Sequence, residues 1–374
     1  MSDQIIKPDL KFTEAIIAAG GESLKKCYQC STCTVVCDVT PNSKPFPRKE
    51  MLYAQWGLKD KLLASPDVWL CHQCSDCTAH CPRGAKPGEV LGAVRKMTIQ
   101  EYSRPSCMGK MVNDGKFALL LFAIPTIIFL FELFIQGHLT NGIPRIPNGQ
   151  LMSYSLMFPP TAYIDPIFVG AAIFSIIMFY RGVKAYWTAM AANNPVPPRK
   201  DVFSAFVLTL QEILTHAVFQ KCGVAKDRSV AHKVVFYSFI GLAITTALAA
   251  SYIYIFHYDG PYPLTNIVKW IGNVSGIALL IGITMVVMNR IKNQQKTGIG
   301  SYFDWFFIFV IYGVGLTGLL AELLRLMQLS VGYVMYFIHL VFVFVLFWYA
   351  PYSKMAHMVY RTTAMVFAKY SNRS

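Results

Sequence analysis

CHQCSDCTAHCP, residues 71–82, is the stretch around which this chain is organised. It spaces four thiols as C-x2-C-x2-C-x3-C before a proline, an arrangement suited to a [4Fe-4S] cluster. The same spacing occurs earlier at Cys27, Cys30, Cys33 and Cys37, each position 44 residues before its counterpart. Zinc sites more often split their ligands into two CxxC pairs joined by a longer spacer, so two runs in register favour iron and sulfur. Zinc or a disulfide framework is the alternative.

In two-cluster domains the fourth cysteine of each run ligates the other cluster, because three closely spaced thiolates leave one corner of the cube open. The expected sets are Cys27, Cys30, Cys33 with Cys81, and Cys71, Cys74, Cys77 with Cys37. Pro82 follows the last cysteine of the second run and Asp38 that of the first, so the chain leaves the two clusters differently.

Composition says what the clusters are attached to. With 374 residues, 54% of them hydrophobic and 14% charged, the chain is too apolar for an ordinary soluble protein. Six apolar stretches, at 117–135, 167–186, 234–256, 267–288, 303–324 and 334–349, predict transmembrane helices, each near the ~20 residues a span requires. Eight of the ten cysteines lie in the two runs, which leaves few for disulfides and favours a reducing, cytoplasmic setting for the head. Residues 1–26 carry no basic segment followed by an apolar one, so no secretory signal is expected. The net charge of +14 follows membrane topology: the basic residues sit beside apolar segments, and no nucleic-acid partner is expected.

Helices are expected in the head. Residues 15–19 form an apolar stretch that stops at Gly20 and Gly21, and 48–64 read as two short helices interrupted by Gly57. A longer helix over 86–101 begins at Pro87 and repeats Val90, Val94 and Met97 on one face. With its spacer RKEMLYAQWGLKDKLLASPDVWLCHQC, this region resembles the small iron-sulfur subunit of heterodisulfide reductases.

Arg181, Lys184, Arg199, Lys200, Lys221, Lys226, Arg228 and Lys233 crowd the loop between the second and third spans. Arg290, Lys292 and Lys296 lie between the fourth and fifth. The positive-inside rule puts both loops, both termini and the cysteine head in the cytoplasm of a cell bounded by its inner membrane. The opposite loops carry little beyond Arg145, Lys269 and Arg325, and Trp187, Trp270, Trp305 and Trp348 fall near span ends as interfacial anchors. After the proline-rich NNPVPPRK, residues 202–219 read as an amphipathic helix on the inner membrane face. His216 and Cys222 in that loop, and Cys107, read as ordinary residues, with His216 a reserve ligand.

Four other histidines sit at span edges: His232 and His257 bracket the third span, His339 and His357 the sixth. Histidine at both edges of two spans suits a pair of bis-histidine b haems stacked across a membrane. The stretch FIHLVFVFVLFWYAPYSKMAHMVYRTTAMVFAKY resembles the last helix of the cytochrome b subunit of respiratory nitrate reductases, its histidines 18 residues apart. Read as one helix, that interval covers about 27 Å, near the ~30 Å hydrocarbon core. The expected pairs are His232 with His357 in the inner haem and His339 with His257 in the outer. Leu242 stands where the nitrate reductase family has a further histidine on the third span. Glu132, Asp304, Glu322 and Arg325 are ionisable residues near the spans that could move protons or hold a quinone, with a helix-end ion pair the plainer reading of Glu322 and Arg325.

The fold expected is all-α: a helical two-cluster ferredoxin domain over residues 1–110, then a six-helix transmembrane cytochrome b bundle over 111–374. A ferredoxin head of this kind joined to such a cytochrome b resembles the membrane subunits of the quinone-interacting membrane-bound oxidoreductases. That resemblance implies menaquinone as lipid-side substrate, heterodisulfide-reductase-A-like flavoprotein subunits (QmoA and QmoB type) docked on the head, adenylylsulfate reductase as soluble partner, and a place in dissimilatory sulfate reduction. Delivery of electrons to a disulfide- or sulfite-reducing partner, and an anchor with vestigial or regulatory cofactors, are the alternatives.

Overall fold

The computed structural model describes residues 7–144, 146, 151–194, 201–216, 226–258, 260–292 and 300–373, and among these it contains helices and no strand. The head holds α1 (Leu10–Ile16), α2 (Thr32–Val35), α3 (Arg48–Gln55), α4 (Lys59–Leu63), α5 (Asp67–Leu70), α6 (Asp76–Ala79) and α7 (Pro87–Tyr102). α8 (Ser106–Val112) leads into the apolar part. There follow α9 (Ala118–Ile135), α10 (His138–Asn141), α11 (Asp165–Asn193), α12 (Val202–Thr215), α13 (Lys226–Tyr254), α14 (Ile267–Lys292), α15 (Tyr302–Leu326), α16 (Val331–Trp348) and α17 (Ala356–Tyr370). Among the described residues six helices are long and apolar enough to cross a membrane, as the sequence predicts, which makes the chain a multi-pass membrane protein.

Local chemistry sets the helix limits. Asp9 caps α1 by accepting from the Phe12 amide at 3.0 Å. Gly57 separates α3 from α4 at φ 63°, and a Cβ there would lie 2.3 Å from the Asp9 carbonyl oxygen, so glycine is required by both backbone and space. α15 opens on a capping box, with Ser301 as N-cap and Asp304 reaching back to it. Asp304 also pairs with Arg290 at 3.5 Å and with Lys354.

Two expectations about the spans need correction. α11 extends well beyond 167–186: with its preceding turn it covers Pro160–Asn193, and Asn193 reaches the head to donate to the Asp60 and Lys61 carbonyls at 3.2 and 3.1 Å. Nor is the last apolar segment one helix through to His357. α16 stops at Trp348 and α17 starts at Ala356, because Pro351 lacks an amide proton and disfavours the α conformation at Ala350. His339 and His357 therefore lie on different helices, and the 27 Å interval does not apply.

Head and bundle share one core. Trp69 of α5 stacks on Tyr360 of α17 with ring centroids 5.9 Å apart, and Tyr186 of α11 packs on the same Tyr360 at 5.6 Å. The Tyr186 hydroxyl donates to Ser65 O at 3.3 Å, and that of Tyr352 to Arg104 O at 2.7 Å. α12 packs on α17 through buried Ala205 and Thr209 and through a Glu212–Lys369 pair at 2.7 Å, with Phe203 and Phe206 left exposed. Cys222 and the basic loop residues Arg145, Arg199, Lys200, Lys221 and Lys296 lie outside the described residues.

At the seam, Arg373 pairs with fully buried Asp67, which Lys49 also meets at 2.7 Å. Glu50 beside them is fully buried, approached by Lys49 at 3.3 Å and otherwise without a hydrogen bond, and burial pushes its carboxyl up to about 7. A carboxyl raised in the folded state stabilises fully below its unfolded value, near 4.3, and loses that contribution as pH rises through its folded value. Glu50→Gln is therefore expected to raise stability by roughly 1–3 kcal/mol at pH 7.5, with the gain shrinking towards pH 5, as read from thermal melts across that range.

Candidate cluster sites and a histidine-lined cavity

The two cysteine runs fold alike. Gln29 and Ser31 of the first run have φ of 67° and 71°, and their counterparts Gln73 and Ser75 have 53° and 73°. Non-glycine residues rarely adopt this left-handed conformation, and its recurrence at equivalent positions wraps each run around a common point. Short helices α2 and α6 follow and pack against each other. The repeated Gln-Cys-Ser triplet was the available sequence signal for this loop, and cysteine spacing alone overlooks it.

The packing of α2 on α6 mixes the runs. A small pocket is lined by Cys27, Cys30 and Cys33 together with Cys81 from the other run. Cys37, in turn, lies near enough to Cys71 and Cys74 to feel their charge. The structure thus juxtaposes the two crossed sets. No three ligating side chains among the described residues close on a single ion, and a four-iron cube spreads its thiolates more widely than a lone metal does.

Burial pushes the Cys33 and Cys37 thiols up to about 11 and that of Cys77 higher still, with neighbouring thiolates adding to the effect. Cys30, at the surface, is lowered instead, chiefly by a hydrogen bond with Thr32. Buried thiolates so close together need a strong compensating cation, which the iron of a cluster supplies. Donors are also in place: the Gln73 amide lies 3.3 Å from Cys71 Sγ, and the Ala85 amide 3.3 Å from Cys81 Sγ.

Beyond the second run opens a cavity of about 2400 Å³ that passes between the membrane helices, several times the ~300–1,000 Å³ of an ordinary ligand pocket. His72 borders it at the head, and His216, His232, His339 and His357 line it further in. One of these is fixed as a particular tautomer. His357 Nδ1 meets the Lys354 carbonyl, which can only accept, so the proton sits on Nδ1 and the lone pair on Nε2, the arrangement of a metal-ligating histidine oriented by its other nitrogen. His339 Nδ1 lies 3.1 Å from Thr317 Oγ1, which is itself 2.6 Å from Gly313 O. Burial holds His357 neutral, its pKa down to about 3. These residues fit axial ligation of haem iron.

His216 and His232 lie side by side, ring centroids 5.6 Å apart, with His216 ending α12 in a left-handed conformation. His257 is placed elsewhere. It is exposed, lies three residues beyond the end of α13 at φ 51°, and does not line the cavity, so the structure does not bring it to His339. The helix ends too early because the chain must turn towards Gly260 and Pro261, leaving His257 in the connection.

At the end of the cavity far from the head, Lys269 of α14 pairs with Glu322 of α15 at 2.6 Å, and Arg325 meets Glu322 at 3.0 Å. A lysine near a helix start and a glutamate near a helix end both oppose the helix dipole, so the pair is held by its own contacts and not by helix capping. Glu132 is buried in α9, takes a hydrogen bond from Gln136 at 3.0 Å and stands away from the cavity.

Residues 154–374 match the family model described as Citrate utilization protein B, and residues 23–85 match that of a 4Fe-4S dicluster domain. The chain is 40% identical over 90 residues to the C-type subunit of the H(2):CoB-CoM heterodisulfide,ferredoxin reductase of Methanothermobacter marburgensis, a match covering 23% of this chain and 47% of that protein. A heterodisulfide-reductase-C-like protein of Archaeoglobus profundus is 35% identical over 106 residues, 28% of this chain and 54% of the relative. Against these, the chain spans about half the length of the curated relatives it matches. Citrate utilization protein B of Escherichia coli is 26% identical over 321 residues, 79% of this chain and 80% of that protein. No solved structure matches.

Proposed function

The chain belongs to the Citrate utilization protein B family and carries a heterodisulfide-reductase-C-like 4Fe-4S domain ahead of it, and from that premise we propose a membrane electron-transfer subunit of the QmoC type. Residues 1–110 are the cytoplasmic head and 111–374 the membrane unit. Two [4Fe-4S] clusters sit on the crossed sets, Cys27, Cys30, Cys33 and Cys81 against Cys71, Cys74, Cys77 and Cys37. His357 and His232 would hold a b haem near the head, with His216 beside His232, and His339 would hold a second, without His257. The clusters and haems supply one-electron transfer, and the chain supplies their ligands, their spacing and the exclusion of water. Menaquinone exchanges electrons at the far end of the cavity, and soluble flavoprotein subunits of the heterodisulfide-reductase-A type meet the head, linking it to adenylylsulfate reductase.

The observation that carries this reading is continuity: the second cysteine run borders the cavity through His72, and the same cavity holds His357, His339 and the Lys269–Glu322 pair. The test is a cofactor inventory of the purified protein. Iron and acid-labile sulfide for two four-iron clusters and two b haems per chain support it; zinc on the cysteines, or absence of b haem, overturns it.

Oxidation of a quinol releases two protons with its two electrons; Glu322, which borders the cavity, would accept one, and the other would pass to solvent. Glu322→Gln is expected to slow quinol-linked haem reduction by about 10²-fold at unchanged haem content, as stopped-flow absorbance reports. The relatives' names favour a second reading, delivery of electrons to a disulfide- or sulfite-reducing partner; the soluble subunits that co-purify with the membrane complex separate the two.

A further inference from the structure

Two guanidinium groups from distant parts of the chain converge on one peptide carbonyl, that of Cys71. Arg95 Nη1, from α7, donates to it at 3.2 Å, and Arg361 Nη1, from α17, also at 3.2 Å. Their second nitrogens grip the next two residues: Arg361 Nη2 lies 2.8 Å from His72 Nε2, and Arg95 Nη2 lies 3.4 Å from Gln73 Oε1. Both arginines line the head end of the cavity, with its low-dielectric walls.

The first run differs at the equivalent atom. Cys27 O accepts from the neutral Gln55 amide at 2.6 Å. Arg48 donates to Gln29 O at 3.1 Å, but from the exposed side, where solvent screens its charge. Arg83 also borders the pocket of the Cys27 run and is likewise exposed, so two loops that share the same left-handed turns carry different charge on the equivalent carbonyl.

A cluster becomes more negative on reduction, so nearby positive charge and hydrogen bonding favour the reduced form and raise the potential. We propose that Arg361 and Arg95 set the Cys71-run cluster at a higher reduction potential than the Cys27-run cluster, making it the first well for electrons leaving the cavity. Arg361 acts through the Cys71 peptide and is a positioning and tuning residue. It also joins the cluster to the haem-bearing helix, since it lies one turn from His357 on α17. The inference rests on the cluster assignment above and needs neither the haems nor the quinone.

The test is a paramagnetic-resonance redox titration of the full chain in its membrane complex, with Cys37→Ser identifying the Cys71-run signal. Arg361→Gln should lower the midpoint of that cluster by at least tenfold in its reduction equilibrium, 59 mV for one electron, and leave the Cys27-run cluster in place. Arg361→Lys, which keeps the charge, should recover more than half of the shift. An unmoved midpoint, or equal shifts in both clusters, overturns the proposal. Should Arg361→Gln release the head, Arg95→Gln removes a charge from the same carbonyl without touching α17, and must itself lower the Cys71-run midpoint selectively. Failure of the cluster assignment is distinguishable, because it shows in the unsubstituted chain as the absence of two cluster signals.

Discussion

Cys37→Ser is expected to abolish the cluster held by Cys71, Cys74 and Cys77 while sparing the one held by the run in which Cys37 itself lies. Sequence proximity argues the other way, since Cys37 is four residues from Cys33 and 34 from Cys71. Packing of α2 on α6 reverses that proximity. Cys37 shares a charge environment with Cys71 and Cys74, whereas Cys81 completes the pocket of Cys27, Cys30 and Cys33. Serine keeps the size but not the ligand, because its hydroxyl does not ionise near neutral pH as a thiol beside iron does. Iron analysis should fall by close to one cluster, and the surviving paramagnetic signal should be that of the Cys27 run. Loss of that signal instead would show that each run holds its own cube.

His357→Ala is expected to remove the haem near the head, with a loss of about half the b-haem absorbance and a visible change in the reduced spectrum. Its imidazole is fixed with the proton on Nδ1 and the lone pair on Nε2, and no other histidine on α17 can replace it. His257→Ala should leave both haems in place, since that side chain is exposed on the far connection and does not reach the cavity. The His216 and His232 variants report the opposite ligand: His232→Ala should cost the same haem as His357→Ala, and His216→Ala should not. Retention of the head-side haem in His232→Ala with its loss in His216→Ala would exchange their roles.

What the sequence reveals and what it hides divide along physical lines. The 44-residue register of the cysteines, the Gly57 break and the six apolar spans are local signals, and each has its counterpart in the structure. The end of α16 was also legible, the expected span closing at 349 beside Trp348, but the 18-residue histidine interval carried the helix past Pro351 to His357. His257 misled because a histidine near a span end has the same appearance whether its helix continues or stops three residues earlier. His216 could not be placed from its own surroundings, since only the approach of the end of α12 to α13, where the Tyr237 hydroxyl donates to Leu214 O at 2.7 Å, brings it beside His232. Arg361 lies 290 residues from the carbonyl it contacts, and an exposed basic tail is the ordinary reading of such a residue. Long-range contacts of this kind follow from the shared core of head and bundle, which no single segment encodes.

The continuity of the cavity with the second cysteine run makes one measurement decisive. Menaquinol is mixed anaerobically with the oxidised complex, and haem absorbance and cluster paramagnetic signals are followed in freeze-quenched samples. The account predicts that b-haem reduction comes first and cluster reduction follows, with His357→Ala blocking the second phase. Cluster reduction at an undiminished rate in His357→Ala, or no reduction of either cofactor by menaquinol, would contradict it.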